Sequence, residues 1–128
     1  VKTANRSNTI IFYNEANKSR ILNFKKKGIK LIRSKIDKNK RFDINIILNK
    51  LYKLNCRNLL IEGGDKLTKS LLKKRFYDEF YLYKSPKKLS KESEYLNFNG
   101  LNLLKQKYKN KINLKLNLGN NKITLYKR

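Results

Sequence analysis

The N-terminal half of the chain alternates short apolar runs with a helical pattern. Residues 9–13 are β-branched and aromatic, which predicts a strand that Asn14 closes. Residues 18–27 form a short amphipathic stretch, and Gly28 follows at a position suited to a left-handed helix cap. Residues 29–32 are again apolar and β-branched. The pattern therefore predicts a strand, a helix and a second strand.

The most regular periodicity in the chain follows Asp43. The apolar residues after it recur at spacings of three and four, which predicts an amphipathic helix with a core-facing stripe. Asp43 is of a residue type that caps helix N-termini, because its carboxylate accepts backbone N–H groups of the first turn. The stripe consists of Ile44, Ile47, Leu48, Leu51 and Leu54.

A continuous apolar run lies near the middle of the chain. Residues 58–61 read Asn-Leu-Leu-Ile and are followed at once by Glu62, Gly63 and Gly64. Such a run suits a strand that is buried on both faces. The helical period resumes over residues 65–76. We therefore predict a strand, a glycine turn and a helix in direct succession.

The C-terminal part of the chain predicts further strands. In residues 78–83, Phe80 and Leu82 alternate with Tyr81 and Tyr83, which predicts a strand with one buried and one exposed face. Residues 112–118 and 123–126 flank the turn sequence 119–121, which predicts a β-hairpin. The order of elements predicts an α/β fold, with a mostly parallel sheet flanked by helices and a C-terminal antiparallel hairpin. We expect residues 1–128 to belong to one domain.

The glycine turn is the clearest candidate for a ligand site. Two glycines after a strand allow a ligand to approach the backbone closely, and the amides of Gly64 through Thr68 would surround an anion. The hydroxyls of Thr68 and Ser70 lie on the first turns of the helix, and Glu62 lies at the carboxyl end of the predicted strand, where open α/β sheets bind ligands. The same residues also fit an ordinary turn with Asp65 as a helix cap, since a short glycine motif alone is a weak signal.

The charge of the chain raises a different function. The sequence has 33 Lys and Arg against 9 Asp and Glu, a formal net charge of +24, which is typical of proteins that bind nucleic acid. The basic residues run from Lys2 to Arg128 rather than along one stripe, and the chain has no Trp, Met or His. We interpret the charge as a compositional bias with no specific nucleic-acid partner, and a basic nucleic-acid-binding module is the alternative.

Several other classes of protein are disfavoured. No apolar run approaches the roughly 18 to 20 residues that cross a bilayer, so we expect a soluble cytoplasmic protein without a membrane partner. The single cysteine, Cys56, excludes an internal disulfide and suits a small, partly buried apolar position. With no His and one Cys, we expect no bound metal.

Residues 58–72 and 76–86 together resemble the C-terminal reductase domain of bacterial bifunctional riboflavin-biosynthesis deaminase-reductases. The shared features are an apolar strand, an acidic residue, a turn of a small residue and Gly, and a helix with Leu in its first turn. An Asp-Glu pair, Asp78 and Glu79, then opens a strand that ends near Pro86. These motifs cover about the central third of the chain.

The resemblance implies a dihydrofolate-reductase-like fold and a reductase that uses NADPH. The implied reaction reduces 5-amino-6-(5-phosphoribosylamino)uracil to its ribitylamino form, with hydride delivered to C1 of the sugar. Glu62 would contact this phosphorylated pyrimidine substrate, and the resemblance also implies a homodimer. The residues that would contact NADPH are Gly63, Gly64, Asp65, Lys66, Leu67, Thr68, Lys69 and Ser70.

The chain also departs from the family pattern. The family's reductase domain begins with strands and a loop upstream of the position that matches Val1, and its deaminase half has no counterpart here. We therefore expect the chain to be incomplete at its N-terminus, to be part of a longer enzyme and to be inactive by itself. A third hypothesis is a non-catalytic subunit that packs against a partner through the hairpin ending at Arg128.

Overall fold

The computed structural model describes residues 9–87, 98–116 and 119–128. The chain divides into two compact units, residues 1–59 and 60–128, and each is considered by itself.

The described part of the first unit, from residue 9 onward, contains a parallel β-α-β segment. Strand β1 (Ile10–Tyr13) pairs in parallel with β2 (Lys30–Arg33), and helix α1 (Lys18–Lys26) connects them. Helix α1 starts where the Asn17 side chain accepts the Arg20 backbone N–H at 2.9 Å, and the chain leaves the helix through Gly28 at a φ of 69°. These elements confirm the predicted strand, helix and strand.

Helix α2 (Ile44–Lys53) is also confirmed, including its cap. The Asp43 carboxylate accepts the Asn45 backbone N–H at 2.9 Å. The apolar stripe of α2 is only half-buried, so it does not form the fully buried face that the periodicity suggested. Lys50 links the helix to the end of β2, since its Nζ donates to Ser34 Oγ at 2.6 Å and to the Arg33 carbonyl at 2.8 Å.

The predicted strand over residues 58–61 is wrong, because these residues form irregular backbone. Leu59 is 47% exposed and Leu60 is 82% exposed, whereas a strand buried on both faces would expose neither. The apolar run identifies a segment that could be buried, but a strand also needs a partner from elsewhere in the chain. In the described residues, β2 pairs with β1 and β3 (Glu79–Lys84) pairs with the C-terminal strand.

The described residues of the second unit form two further helices and a three-stranded sheet. Helix α3 (Asp65–Lys74) is followed by β3, then by helix α4 (Leu101–Lys107) and the strands β4 (Asn110–Leu114) and β5 (Lys122–Lys127). The sheet order is β3-β5-β4, and both pairings are antiparallel.

This topology corrects the prediction of a mostly parallel sheet. In the described part of the chain one strand pair is parallel and two are antiparallel, and they form separate sheets. The C-terminal hairpin itself is confirmed, although residues 117–118 of the predicted first strand lie outside the described residues. Helix α4 was not predicted from the sequence.

The core of the second unit lies between its helices and one face of its sheet. Leu72 of α3, Leu104 of α4, Tyr108 and Tyr126 of β5 form a buried cluster, against which Phe80 and other half-buried side chains pack. Along β3, inward and exposed side chains alternate as predicted. This packing fixes α3 on the sheet.

Tyr108 adds a polar contact to this apolar cluster. Its hydroxyl donates to the Tyr77 carbonyl at 2.9 Å and accepts the Tyr77 backbone N–H at 3.2 Å. The backbone N–H and carbonyl of Tyr77, which lies in the link between α3 and β3, are therefore both bonded to the Tyr108 hydroxyl. Tyr108 itself is only 1% exposed.

We predict that Tyr108→Phe lowers the free energy of unfolding by about 2 kcal/mol, because two partly buried backbone groups lose their partner while the ring is kept. Urea unfolding followed by circular dichroism measures the difference. The matched control is Tyr83→Phe, since Tyr83 is 66% exposed on the same unit. Equal stability of the two variants would contradict the role assigned to the Tyr108 hydroxyl.

Candidate functional site

The glycine turn leads directly into helix α3 within the second unit. Gly64 is the N-cap residue, with an extended backbone (φ −68°, ψ 171°) and no side chain to cap the helix. The backbone N–H groups of residues 64–67 therefore have no acceptor inside the helix. Gly63 and Gly64 are exposed, so the positive end of the helix dipole is open to solvent.

The two glycines of the turn differ in the space around them. A Cβ atom on Gly63 would lie 2.7 Å from Cδ2 and 3.2 Å from Cβ of Leu67, so a side chain there collides with the first turn of α3. A Cβ atom on Gly64 would meet nothing within 4 Å. A side chain at Gly63 would therefore press on the half-exposed Leu67, whereas no protein atom occupies the space in front of Gly64.

Asp65 stabilises the start of α3 through two contacts. Its Oδ1 accepts the backbone N–H of Asn99 at 3.1 Å, and its Oδ2 lies 2.7 Å from Nζ of Lys69. The hydrogen bond from Lys69 holds the pKa of the Asp65 carboxyl below its usual value, and the Asn99 amide lowers the pKa further, while partial desolvation opposes both. The carboxylate thereby ties the turn to the segment that precedes α4.

Thr68 is the buried residue of the site. Its hydroxyl donates to the Gly63 carbonyl at 3.2 Å, and its backbone N–H donates to the Gly64 carbonyl at 3.1 Å. The Tyr77 side chain lies beside it: burial raises the pKa of the Tyr77 phenol, and a hydrogen bond with Thr68 opposes that rise.

The remaining predicted site residues lie around this turn. Glu62 is exposed in the irregular backbone just before Gly63, not at the end of a strand as predicted. Lys66 and Leu67 are exposed, whereas Lys69 and Ser70 are intermediate. The structure therefore brings Gly63 to Leu67 and Thr68. It also joins Gly64 to Thr68 and Asp65 to Lys69, and Glu62 is adjacent in the chain.

This arrangement can hold an anion. Unpaired N–H groups at a helix N-terminus point toward a bound phosphate, and the helix dipole favours its charge. Lys66 and Lys69 belong to the first turns of α3, and the Asp65 carboxylate is paired with Lys69, which leaves Glu62 as the acidic side chain next to the turn.

One contact of the site had no signal in the sequence. The Asn99 amide that bonds Asp65 lies 34 residues away along the chain, and nothing in the local pattern connects the two. The contact between Leu67 and Gly63 had a partial signal, namely a Leu in the first turn after the glycine pair.

Other features of the structure lie apart from this turn. In the first unit, a cleft of about 290 Å³ is lined by β1 and α1 side chains that include Tyr13, Arg20 and Phe24. Within the described ranges, no three His, Cys, Asp or Glu side chains group as a metal site would require. None of the described helices has the length and apolar character needed to span a membrane.

The difference between the two glycines gives a matched test of the turn. We predict that Gly63→Ala lowers the free energy of unfolding by about 0.5 to 1.5 kcal/mol, because the Leu67 side chain must leave its present rotamer. Gly64→Ala should change it by less than about 0.5 kcal/mol, since its methyl group meets open space. Urea unfolding of both variants measures the contrast, and the reverse order of stability would contradict this geometry.

The Asp65 contacts predict a dependence of stability on pH. A carboxyl group whose pKa is lower in the folded than in the unfolded protein stabilises the fold above its unfolded pKa, about 3.9 for Asp, and this contribution is lost as the pH falls through the folded pKa. Asp65→Asn should therefore weaken the loss of stability below about pH 4. Thermal unfolding of the wild type and the variant across this pH range measures the difference. An equal fall of the unfolding temperature below about pH 4 in both proteins would show that Asp65 does not contribute.

Comparison with known proteins adds one match. A family model described as the RibD C-terminal domain matches residues 1–120, which include every residue of the candidate site. No curated protein matches the chain.

Proposed function

This chain belongs to the RibD C-terminal domain family, the reductase domain of riboflavin biosynthesis, and we propose that it reduces 5-amino-6-(5-phosphoribosylamino)uracil with NADPH. The product is the ribitylamino pyrimidine. The cofactor would supply the hydride, and the contribution of the chain would be binding, orientation and electrostatics. The observation that carries the proposal is the open glycine turn at the start of α3 within the matched family domain.

The turn fits the phosphate groups of a dinucleotide. The space in front of Gly64 lets a phosphate oxygen reach the backbone, where the N–H groups of residues 64–67 donate to it. Lys66, which is exposed beside these groups, adds a positive charge. In this proposal the residues from Gly63 to Ser70 form the cofactor side of the site.

Glu62 forms the substrate side of the proposed site. It directly precedes the turn and is exposed, so its carboxylate is available to accept hydrogen bonds from N–H or O–H groups of the pyrimidine or its sugar. A substrate held there would lie next to a cofactor held at Gly64, and proximity of the two reactants is what hydride transfer requires.

The architecture of the whole domain is part of the proposal. In its described ranges the chain is a mixed α/β protein with a parallel two-stranded sheet and an antiparallel three-stranded sheet. We propose that residues 1–128 are the C-terminal part of one dihydrofolate-reductase-like domain of a longer enzyme, and that the enzyme acts as a homodimer. The family match over residues 1–120 supports the assignment to one domain.

The proposal predicts that Gly64→Val abolishes NADPH binding by the full-length protein. A valine at this position meets no protein atom near its Cβ and has a permitted backbone conformation, so it blocks the ligand without distorting the turn. Fluorescence titration with NADPH at low and at high salt, together with the thermal unfolding temperature, measures both effects.

The matched control is Lys105→Ala, which removes a positive charge from the exposed surface of α4. The control should bind NADPH as the wild type does, with saturable binding that persists at high salt. Unchanged affinity in Gly64→Val would contradict the site. Absence of NADPH binding by the wild type, with salt-sensitive binding to nucleic acid instead, would contradict the proposed function.

A further inference from the structure

We propose that Thr68 is a positioning residue, which holds the glycine turn so that its amide groups face the ligand, and does not itself touch the cofactor. This inference rests on the proposed function for the nature of the ligand. It is argued from the hydrogen bonds between Thr68 and the carbonyl groups of Gly63 and Gly64.

Thr68 holds both carbonyl groups of the glycine pair. Its hydroxyl donates to the Gly63 carbonyl at 3.2 Å, and its backbone N–H donates to the Gly64 carbonyl at 3.1 Å. The second bond is the ordinary first hydrogen bond of a helix. The first bond is additional, because it comes from a side chain and reaches the residue before the N-cap.

The additional bond determines where the amide groups point. In a trans peptide the carbonyl and the following N–H point in opposite directions, because the six atoms of the unit are coplanar. When the Gly63 carbonyl points toward Thr68, the Gly64 N–H must point away from Thr68. The Thr68 hydroxyl therefore aims the first amide of the anion site.

The Thr68 hydroxyl faces the interior of the unit, where its partners are the Gly63 carbonyl and the Tyr77 phenol. The Thr68 residue is only 9% exposed, so its side chain is turned into the protein and not toward the open space in front of Gly64. Leu67 closes the other side of Gly63, since even a methyl group there would collide with it. The side chains of Leu67 and Thr68 therefore both contact Gly63. Among the described residues, Thr68 supplies the only side-chain donor that hydrogen-bonds to the glycine turn.

The test compares three substitutions in the full-length protein. Thr68→Val keeps the branched shape and removes the hydroxyl, whereas Thr68→Ser keeps the hydroxyl. Thr124→Val is the matched control, because Thr124 also loses one side-chain hydrogen bond, the bond to Asn113 Oδ1 at 3.0 Å, but in the sheet. The readouts are the ¹⁵N order parameters of the backbone amides of residues 63–68, the dissociation constant for NADPH and the unfolding temperature.

We expect Thr68→Val to lower the order parameters of the turn amides and to raise the dissociation constant about fivefold, the scale of one lost hydrogen bond. Thr68→Ser should restore both, and Thr124→Val should change neither. Unaltered order parameters of the turn amides in Thr68→Val, or equal effects in Thr124→Val, would overturn the role of Thr68.

The two readouts separate this inference from the proposed function. If the wild type fails to bind NADPH while Thr68→Val still loosens the turn, the proposed function fails and the positioning role of Thr68 stands. If the wild type binds NADPH and Thr68→Val binds it equally well with a rigid turn, the positioning role fails and the proposed function stands.

Discussion

The packing of Leu72 against Leu104 is the contact on which the second unit depends. Neither side chain has any exposed surface, and with Tyr108 and Tyr126 they hold α3 and α4 on one face of the antiparallel sheet. The candidate site is the N-terminus of α3, so its location is set by this apolar cluster two turns further along the helix. A displacement of α3 would carry the whole glycine turn with it.

Two polar contacts hold the glycine turn in place at the start of α3, in addition to the apolar core that holds the helix. The Asp65 carboxylate joins the start of α3 to the Asn99 amide, and the Thr68 hydroxyl joins α3 back to the Gly63 carbonyl. The Asp65 carboxylate and the Thr68 hydroxyl are therefore bonded within the protein and are not free to bind a ligand. What they leave available is backbone: the N–H groups of the first turn, in front of a glycine with open space beside it. Such a site recognises charge and shape, which suits a phosphate.

Local features of the structure were predictable from the sequence because local residues determine them. The caps at Asp43 and Gly28 follow from a carboxylate that accepts backbone N–H groups and from a glycine that adopts positive φ. The glycine turn and the start of α3 at Asp65 were likewise readable, since apolar periodicity resumes directly after Gly64.

Features that depend on distant partners were not predictable. The apolar run of residues 58–61 looked like a buried strand, yet Leu60 is exposed, because burial requires a neighbouring strand that a local pattern cannot specify. For the same reason the sequence did not show that β3 would pair with β5 in an antiparallel sheet. Within the site, the Asn99 contact was invisible, since a backbone amide carries no residue-specific signal.

The central claim is that the backbone amides at the start of α3 bind the phosphate groups of NADPH. The most direct measurement is a titration of the ¹⁵N-labelled protein with NADPH at high salt, followed by two-dimensional NMR of the amide groups. The account predicts saturable shifts that are largest for the amides of Gly64, Asp65 and Lys66. Shifts that spare these three amides, or that spread over exposed lysines and vanish as salt is added, would contradict it.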